Sequence, residues 1–212
     1  MDKDGKGIVP KNTAIILGLV FSSNMLWNNY LEIGQKALIP NLKKKLGALK
    51  FTSNLANFQT KKCLIDGIIM SKIVYGICVW GLSASASMVR KVQGVQNLSM
   101  RWLLNENRYT KVETLLKRYS FLSVYQLTIY HCILQFWKVL NYGVPVRMAE
   151  WVDINTEGIT RIHQTGEVWS KVAPAYFERL DINLKIENKI SIFKTGLKRW
   201  ILQNVPIHKP YI

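Results

Sequence analysis

Between Phe58 and Trp80 the chain sets Phe58, Leu64, Ile65, Ile68, Ile69, Ile73, Val74, Ile77 and Trp80 nearly all round a helix. A helix of that kind has no solvent face. It needs cover from other elements, so the chain must build a bundle around it. A bilayer is the other cover available, and the run from Cys63 to Trp80 approaches the length of a span. Asp66 and Lys72 interrupt that run, and charges are costly in hydrocarbon, so the segment reads as a buried helix. Lys62 precedes Asp66 by four residues, the spacing of a helix ion pair. Gly81 reads as the C-terminal stop.

The covering helices follow from the same periodicity. Trp27, Leu31, Leu38, Leu42, Leu46 and Leu49 recur at spacings of three, four and seven from Met25 onward, with Pro40 expected to kink or restart the helix. Residues 85–104 carry Met88, Val92, Val95 and Trp102 on one side and Arg90, Lys91, Gln93, Gln96, Asn97 and Arg101 on a polar one. Thr110 with Glu113, and Ser123 with Gln126, each have capping-box spacing. The second box opens a helix to about Leu140, with Leu127, Tyr130, Leu134, Trp137 and Leu140 as its buried stripe and Asn141, Gly143 and Pro145 at its end. Residues 146–187 are less regular, with helical hints from Glu167 to Leu180 broken by Pro174. Phe193, Leu197, Trp200 and Ile201 mark a last amphipathic helix over Lys189–Asn204, closed by Pro206.

At the other end, Ile15–Phe21 reads as one strand, with a partner expected at Gly7–Val9 or upstream of Met1. The run Ala14–Phe21 is not read as a signal-peptide core, because Asp2 and Asp4 precede it and no small-residue cleavage site follows. The expected fold is mainly α. It is a helical bundle with a short N-terminal β segment in 1–24, a basic helical domain over 25–145 and a looser helical C-terminal extension over 146–212.

The net charge is +16, from 29 Lys and Arg against 13 Asp and Glu. That excess favours a polyanion: DNA, RNA or an anionic membrane surface. Its densest stretch holds Lys36, Lys43, Lys44, Lys45, Lys50, Lys61 and Lys62 with no carboxylate between them. Helices that are basic on one side and apolar on the other can pack into a domain and still lie along a duplex, where backbone phosphates release counterions to Lys and Arg. The residues expected to contact the backbone are Lys43, Lys44, Lys45, Lys50, Arg90 and Arg101. A non-enzymatic protein-interaction module, using surfaces at Trp80 and Trp137, is the competing reading.

Independent chemistry is not expected. The acids of residues 1–149 are Asp2, Asp4, Glu32, Asp66, Glu106 and Glu113, none adjacent, so no carboxylate set for a metal pair is evident. There is no GxSxG and no phosphate-cradling glycine loop. His131 and Cys132 are neighbours, so on a helix they point about 100° apart. Cys63, Cys78 and Cys132 form no CxxC, so a zinc site is not expected. Their odd number without a disulfide framework fits a reducing, intracellular setting, nuclear or cytoplasmic. No metal, cofactor, small-molecule or membrane site is expected in this chain.

The order of short motifs is more specific than any one of them. Ile16-Leu17-Gly18-Leu19 followed by Leu26-Trp27 resembles a segment of non-LTR (LINE-type) retrotransposon reverse transcriptases. So do the Lys-rich helix ending Leu46-Gly47-Ala48-Leu49, then Ser71-Lys72-Ile73-Val74-Tyr75-Gly76 with Val79-Trp80-Gly81, then Val92-Gln93, Val95-Gln96-Asn97 and Met100-Arg101. Phe121-Leu122-Ser123-Val124, Trp137-Lys138-Val139-Leu140 and the terminal Phe193-Lys194 with Leu197-Lys198-Arg199-Trp200 continue the likeness. The resemblance implies that Leu17 and Gly18 belong to a primer-grip hairpin ending the palm. It implies a thumb-like role for the helices from Met25 to about Leu140, holding the template–primer RNA/DNA duplex. The family's catalytic Asp-Asp pair lies in the palm, with Mg2+ implied for the full-length polymerase, and this chain has no such pair. The resemblance therefore implies a fragment of an RNA-directed DNA polymerase, inactive alone, whose partners are the duplex and the missing palm and fingers.

Overall fold

The computed structural model describes residues 12–24, 26–34, 36–51, 56–143, 152–154, 160–162 and 168–210. It is mainly α with a short N-terminal β segment, as the periodicity predicts. Gly7–Val9, Met25, Pro145, His163 and Glu167 lie outside the described residues.

Ile15–Phe21 is not one strand. β1 (Thr13–Ile16) and β2 (Leu19–Ser22) pair antiparallel from Thr13↔Ser22 to Ile16↔Leu19, so the segment is its own partner. Leu17 and Gly18 form the two-residue turn, with φ of 50° and 80°. Positive φ at both central positions gives the turn the twist of its flanking strands. Glycine adopts it freely, whereas for Leu17 the left-handed region costs about 1–2 kcal/mol. Phe21 packs edge-on against Trp27 at 5.2 Å, and the Trp27 indole donates to Ser83 Oγ at 2.7 Å.

A π-helical turn, Asn29–Ile33, buries Tyr30 and Leu31. It leads to α1 (Leu38–Lys50), which buries Leu38, Ile39, Leu42, Leu46 and Leu49. Pro40 is the third residue of α1, where a backbone N–H would have no intrahelical partner, so the proline marks a restart and leaves no kink.

The apolar run forms α2 (Phe58–Val74) and α3 (Ile77–Ser83), bent by 62°. α2 widens to a π-helix over Ile65–Met70. The break falls at Tyr75–Gly76, where Gly76 has φ +62°. Gly81 is therefore not a stop. It lies inside α3, buried, at the contact with the helix that carries Thr128. Lys62 and Asp66 form the expected ion pair at 2.6 Å. Among the described residues no single helix is long and apolar enough to cross a membrane; the bent pair passes on length and composition only. Ile65, Ile69, Ile73, Ile77 and Trp80 are all buried in protein.

α4 (Ala86–Leu104) starts at Ser85, whose hydroxyl accepts from Met88 N at 3.3 Å. Met88, Val92, Val95 and Trp102 are buried as expected. Gln93 and Gln96 are buried too, against the expectation of a polar face. Gln93 Oε1 accepts from Val124 N at 2.7 Å and Gln96 Nε2 donates to Leu122 O at 2.8 Å, so both amides fasten α4 to the next long helix. The Thr110–Glu113 box does not form. Thr110 donates its hydroxyl to Glu106 at 3.0 Å, and α5 (Val112–Tyr119) begins after Lys111 with no side-chain cap.

The Ser123–Gln126 box does form, opening α6 (Val124–Tyr142), and Gly143 ends the helix at φ +63°. Leu134 and Trp137 of the predicted stripe are buried, but Leu127, Tyr130 and Leu140 are half-buried, and Ile129, Cys132, Ile133 and Phe136 lie deeper. α6 is covered on more sides than a surface helix, because α2, α3, α4 and two C-terminal helices all pack on it. Trp80 and Trp137 are both fully buried, so neither offers an interaction surface.

β3 (Val152–Ile154) and β4 (Thr160–Ile162) pair antiparallel, which the sequence reading did not foresee. α7 (Val168–Glu178) runs through Pro174 unbroken. A short α8 (Ile182–Lys185) precedes α9 (Ile190–Asn204), which buries Phe193, Leu197, Trp200 and Ile201 as predicted. Phe193 stacks on Trp137 at 4.9 Å. One continuous apolar core joins Leu19 of the hairpin to Val205 beyond α9, across all three sequence segments. Lys209 then donates to the Gly81, Leu82 and Ala84 carbonyl oxygens, closing the C-terminal end of α3.

Candidate nucleic-acid interface

The helical angles on α1 determine where its lysines go. With Leu42, Leu46 and Leu49 inward, Lys45 and Asn41 flank one edge of the buried stripe, Lys43 and Lys50 the other, and Lys44 faces away. On the Lys45 edge stand the hairpin turn and the last turn of α2. Together they enclose a cavity of about 530 Å3, lined by Leu17, Gly18, Tyr30, Lys36, Leu38, Asn41, Leu42, Lys45, Lys72 and Tyr75.

Tyr75 ties the parts together. Its residue begins the break between α2 and α3, its phenol donates to the Leu17 carbonyl, and its ring lies 4.0 Å from where a Cβ on Gly18 would stand. The next residue, Gly76, lets the chain come so close to Leu19 that a Cβ there would meet both Leu19 methyls at 3.0 Å. The hairpin is thus held on the α2–α3 corner by its own turn.

The lining is one-sided in charge. Three ammonium groups, Lys36, Lys45 and Lys72, stand with two phenols, and no Asp or Glu contributes. Burial, with the Tyr75 phenol adding to it, pushes the Tyr30 pKa up to about 12, so Tyr30 remains a protonated donor at neutral pH. The Tyr75 hydroxyl is committed to Leu17 O, so the donors facing this space are the three ammonium groups and the Tyr30 hydroxyl, a set complementary to a phosphate, which accepts charge-assisted hydrogen bonds.

The other predicted contacts are dispersed. Lys43, Lys44 and Lys50 are exposed on the rest of α1, and Arg90 is exposed on α4. Beside it Lys91 binds both oxygens of Glu32, at 2.6 and 2.7 Å. Arg101 is half-buried and turned to its own chain, donating to Thr110 O at 2.9 Å. Lys45, Leu17 and Gly18 therefore meet in one place, while Lys43, Lys44, Lys50, Arg90 and Arg101 do not join them. Lys36, Lys72, Tyr30 and Tyr75 are the lining residues that sequence reasoning left out of the site. They come from separate segments, and no local signal gathers them.

Among the described residues no three His, Cys, Asp or Glu side chains stand close enough to share a metal ion. Asp66 is engaged by Lys62, Glu32 by Lys91 and Glu106 by Arg118, in separate parts of the fold. The Mg2+ that the resemblance implies for a full-length polymerase finds no fitting carboxylate set among them. His131 is pushed down to about 4 by burial, with Lys138 and Lys194 adding to it, so it is neutral at pH 7. The Cys132 thiol is pushed up by its hydrogen bond with Cys78 and by burial. No protein-family model, curated protein or solved structure matches this chain.

Proposed function

We propose that this chain is the duplex-gripping, thumb-like part of an RNA-directed DNA polymerase of the non-LTR retrotransposon type. The observation that carries the reading is the meeting of Leu17–Gly18 with Lys45 in one carboxylate-free cavity. Leu17–Gly18 stands out by its motif, and Lys45 by the acid-free basic segment as well as by the Lys-rich helix of the same resemblance, so their convergence supports the reading without being independent of it. In this reading the strand backbone rests against Lys36, Lys45 and Lys72, while Lys43, Lys44, Lys50 and Arg90 meet phosphates further along. Arg101 supports the Thr110 loop more than it meets the duplex. The catalytic aspartates and their Mg2+ belong to a palm outside residues 1–212, and the protein works inside the cell, in nucleus or cytoplasm.

A derived, non-enzymatic interaction module is the second reading. It draws on Ile15, Ile16 and Leu17, which are 65%, 55% and 85% exposed on the hairpin and favour a protein neighbour there. The same surface suits a palm.

The test is the triple variant Lys36→Gln, Lys45→Gln, Lys72→Gln, all exposed positions, titrated with an RNA–DNA hybrid across a salt series. Each lost phosphate contact lowers the slope of log affinity against log salt by about 0.9, so a drop of about 2–3 is expected. Unchanged affinity and slope would refute the assignment.

A further inference from the structure

Two cysteines stand where α3 and α6 approach closely. A Cβ on Gly81 of α3 would lie 2.5 Å from Thr128 Oγ1 of α6. Even with every bond in line, that contact holds the two Cα atoms within about 6.5 Å, inside the range of roughly 4.4–6.8 Å that a disulfide spans. Cys78 precedes Gly81 by three residues and Cys132 follows Thr128 by four, so each stands one helical turn from the crossing, on the face of its helix that makes it. The two thiols meet there, and their sulfurs share a hydrogen bond. Cys132 is fully buried, whereas Cys78 is half-buried. Cys63, the remaining cysteine, is exposed on α2.

The two thiols are unequal. The hydrogen bond from Cys132 lowers the Cys78 pKa and so favours its thiolate, the nucleophilic form. The same hydrogen bond, with burial, holds the Cys132 thiol protonated. An attacking thiol with access to solvent, beside a sheltered second thiol that can resolve it, is the arrangement of a reversible cysteine couple. The helices that carry the pair already touch, so a bond between the sulfurs asks only for side-chain rotation and a small adjustment of the backbone.

We propose that Cys78 and Cys132 form a reversible disulfide that clasps α3 to α6 when the surrounding thiol pool becomes oxidised. The oxidant is a small-molecule disulfide such as oxidised glutathione. The Cys78 thiolate attacks one sulfur of that molecule and forms a mixed disulfide. One glutathione thiolate leaves and takes up the proton lost from Cys78. Cys132 then attacks the Cys78 sulfur, and its proton passes to the second glutathione as that departs. Two protein thiols are oxidised, and one small disulfide is reduced to two thiols. In a reducing compartment the couple rests as thiols, and packing alone holds the two helices together. The clasp involves neither the hairpin cavity nor its lysines, so it stands or falls separately from the nucleic-acid reading.

The test treats the full chain with oxidised glutathione, natively and in urea. Acid stops the exchange, the remaining thiols are alkylated, and the linkages are mapped by mass spectrometry. In the unfolded chain, loop closure favours the cysteines nearer in sequence, so Cys63–Cys78 should exceed Cys78–Cys132 by about five- to tenfold. The native chain should reverse that order, with Cys78–Cys132 the dominant linkage and Cys63 carrying glutathione. The linked chain should melt roughly 4–16 °C above the reduced one, and dithiothreitol should remove the difference. Cys132→Ala should stop the reaction at a mixed disulfide on Cys78, and Cys78→Ser should leave Cys132 unmodified. The proposal is overturned if the native chain keeps both thiols, if Cys63–Cys78 prevails in it, or if wild-type Cys78 retains glutathione. A linked chain that melts no higher than the reduced one overturns it too. If Cys132→Ala fails to fold, the wild-type linkage map and melting shift decide.

Discussion

Replacing Gly81 by alanine tests the packing on which the bundle depends. A Cβ built on Gly81 would stand 2.5 Å from Thr128 Oγ1 and 2.8 Å from Thr128 Cγ2, against about 3.5–4.0 Å for an ordinary contact. Thr128 cannot easily withdraw. It is fully buried, its β-branched χ1 is stiff within α6, and its hydroxyl donates to Val124 O at 2.9 Å. One of the two helices must therefore move by several tenths of an ångström. Overpacking of this kind costs about 1–3 kcal/mol. Alanine is the better helix former and returns up to about 1 kcal/mol. The expected net loss is about 1–2 kcal/mol, a fall in melting temperature of roughly 2–8 °C for a chain of this size. Urea unfolding followed by tryptophan fluorescence measures it. Adding Thr128→Ala should recover part of the loss, with a coupling of about 1 kcal/mol or more between the two sites. If Gly81 were instead a left-handed helix stop with open space around it, alanine would still cost about 1 kcal/mol, but Thr128→Ala would recover none of it and the pair would not couple. That outcome would refute the close approach of α3 and α6.

Two further predictions follow from single residues. His131 has a folded pKa of about 4 against 6.5 for the free side chain, so the unfolded chain binds the extra proton first. Its contribution is present above pH 6.5 and is lost as pH falls toward 4, by about 2 kcal/mol after allowing for its partial exposure; His131→Asn should flatten that part of the stability–pH curve, and an unchanged curve would contradict the burial argument. Leu17 holds φ 50° in a turn that suits Asn-Gly, so Leu17→Asn should stabilise the fold by up to about 1 kcal/mol in thermal melts, while a loss of stability would contradict the turn assignment.

Much of the helical body was legible because periodicity and capping agree there. α4, α6 and α9 each carry a 3.6-residue apolar stripe, Ser123 and Gly143 mark the ends of α6, and Pro206 follows α9. Gly81 reads as the stop, yet the break falls at Gly76. Gly76 breaks the chain by its positive φ, and Gly81 admits Thr128, but either could be a stop in one dimension. Periodicity reads one strand over Ile15–Phe21 because Leu17 is not a turn-forming residue, and the hairpin is legible only through the resemblance at Leu17–Gly18. Gln93 and Gln96 read as solvent-facing since amides bury only when specific partners await them, and here those partners, Val124 N and Leu122 O, lie about 30 residues away. The same limit applies to the site. Lys36 and Lys45 stand out in the basic stretch, whereas Tyr30, Lys72 and Tyr75 join them only through the tertiary meeting of α1, α2 and the hairpin.

The central claim is that nucleic acid lies against the hairpin cavity, and photocrosslinking tests that most directly. An RNA–DNA hybrid with photoreactive groups along its backbone would be irradiated with the full chain, and the modified residues mapped by mass spectrometry. The account predicts salt-sensitive crosslinks concentrated on Tyr30, Lys36, Lys45, Lys72 and Tyr75. Crosslinks that avoid these residues, or that are indifferent to salt, would contradict it.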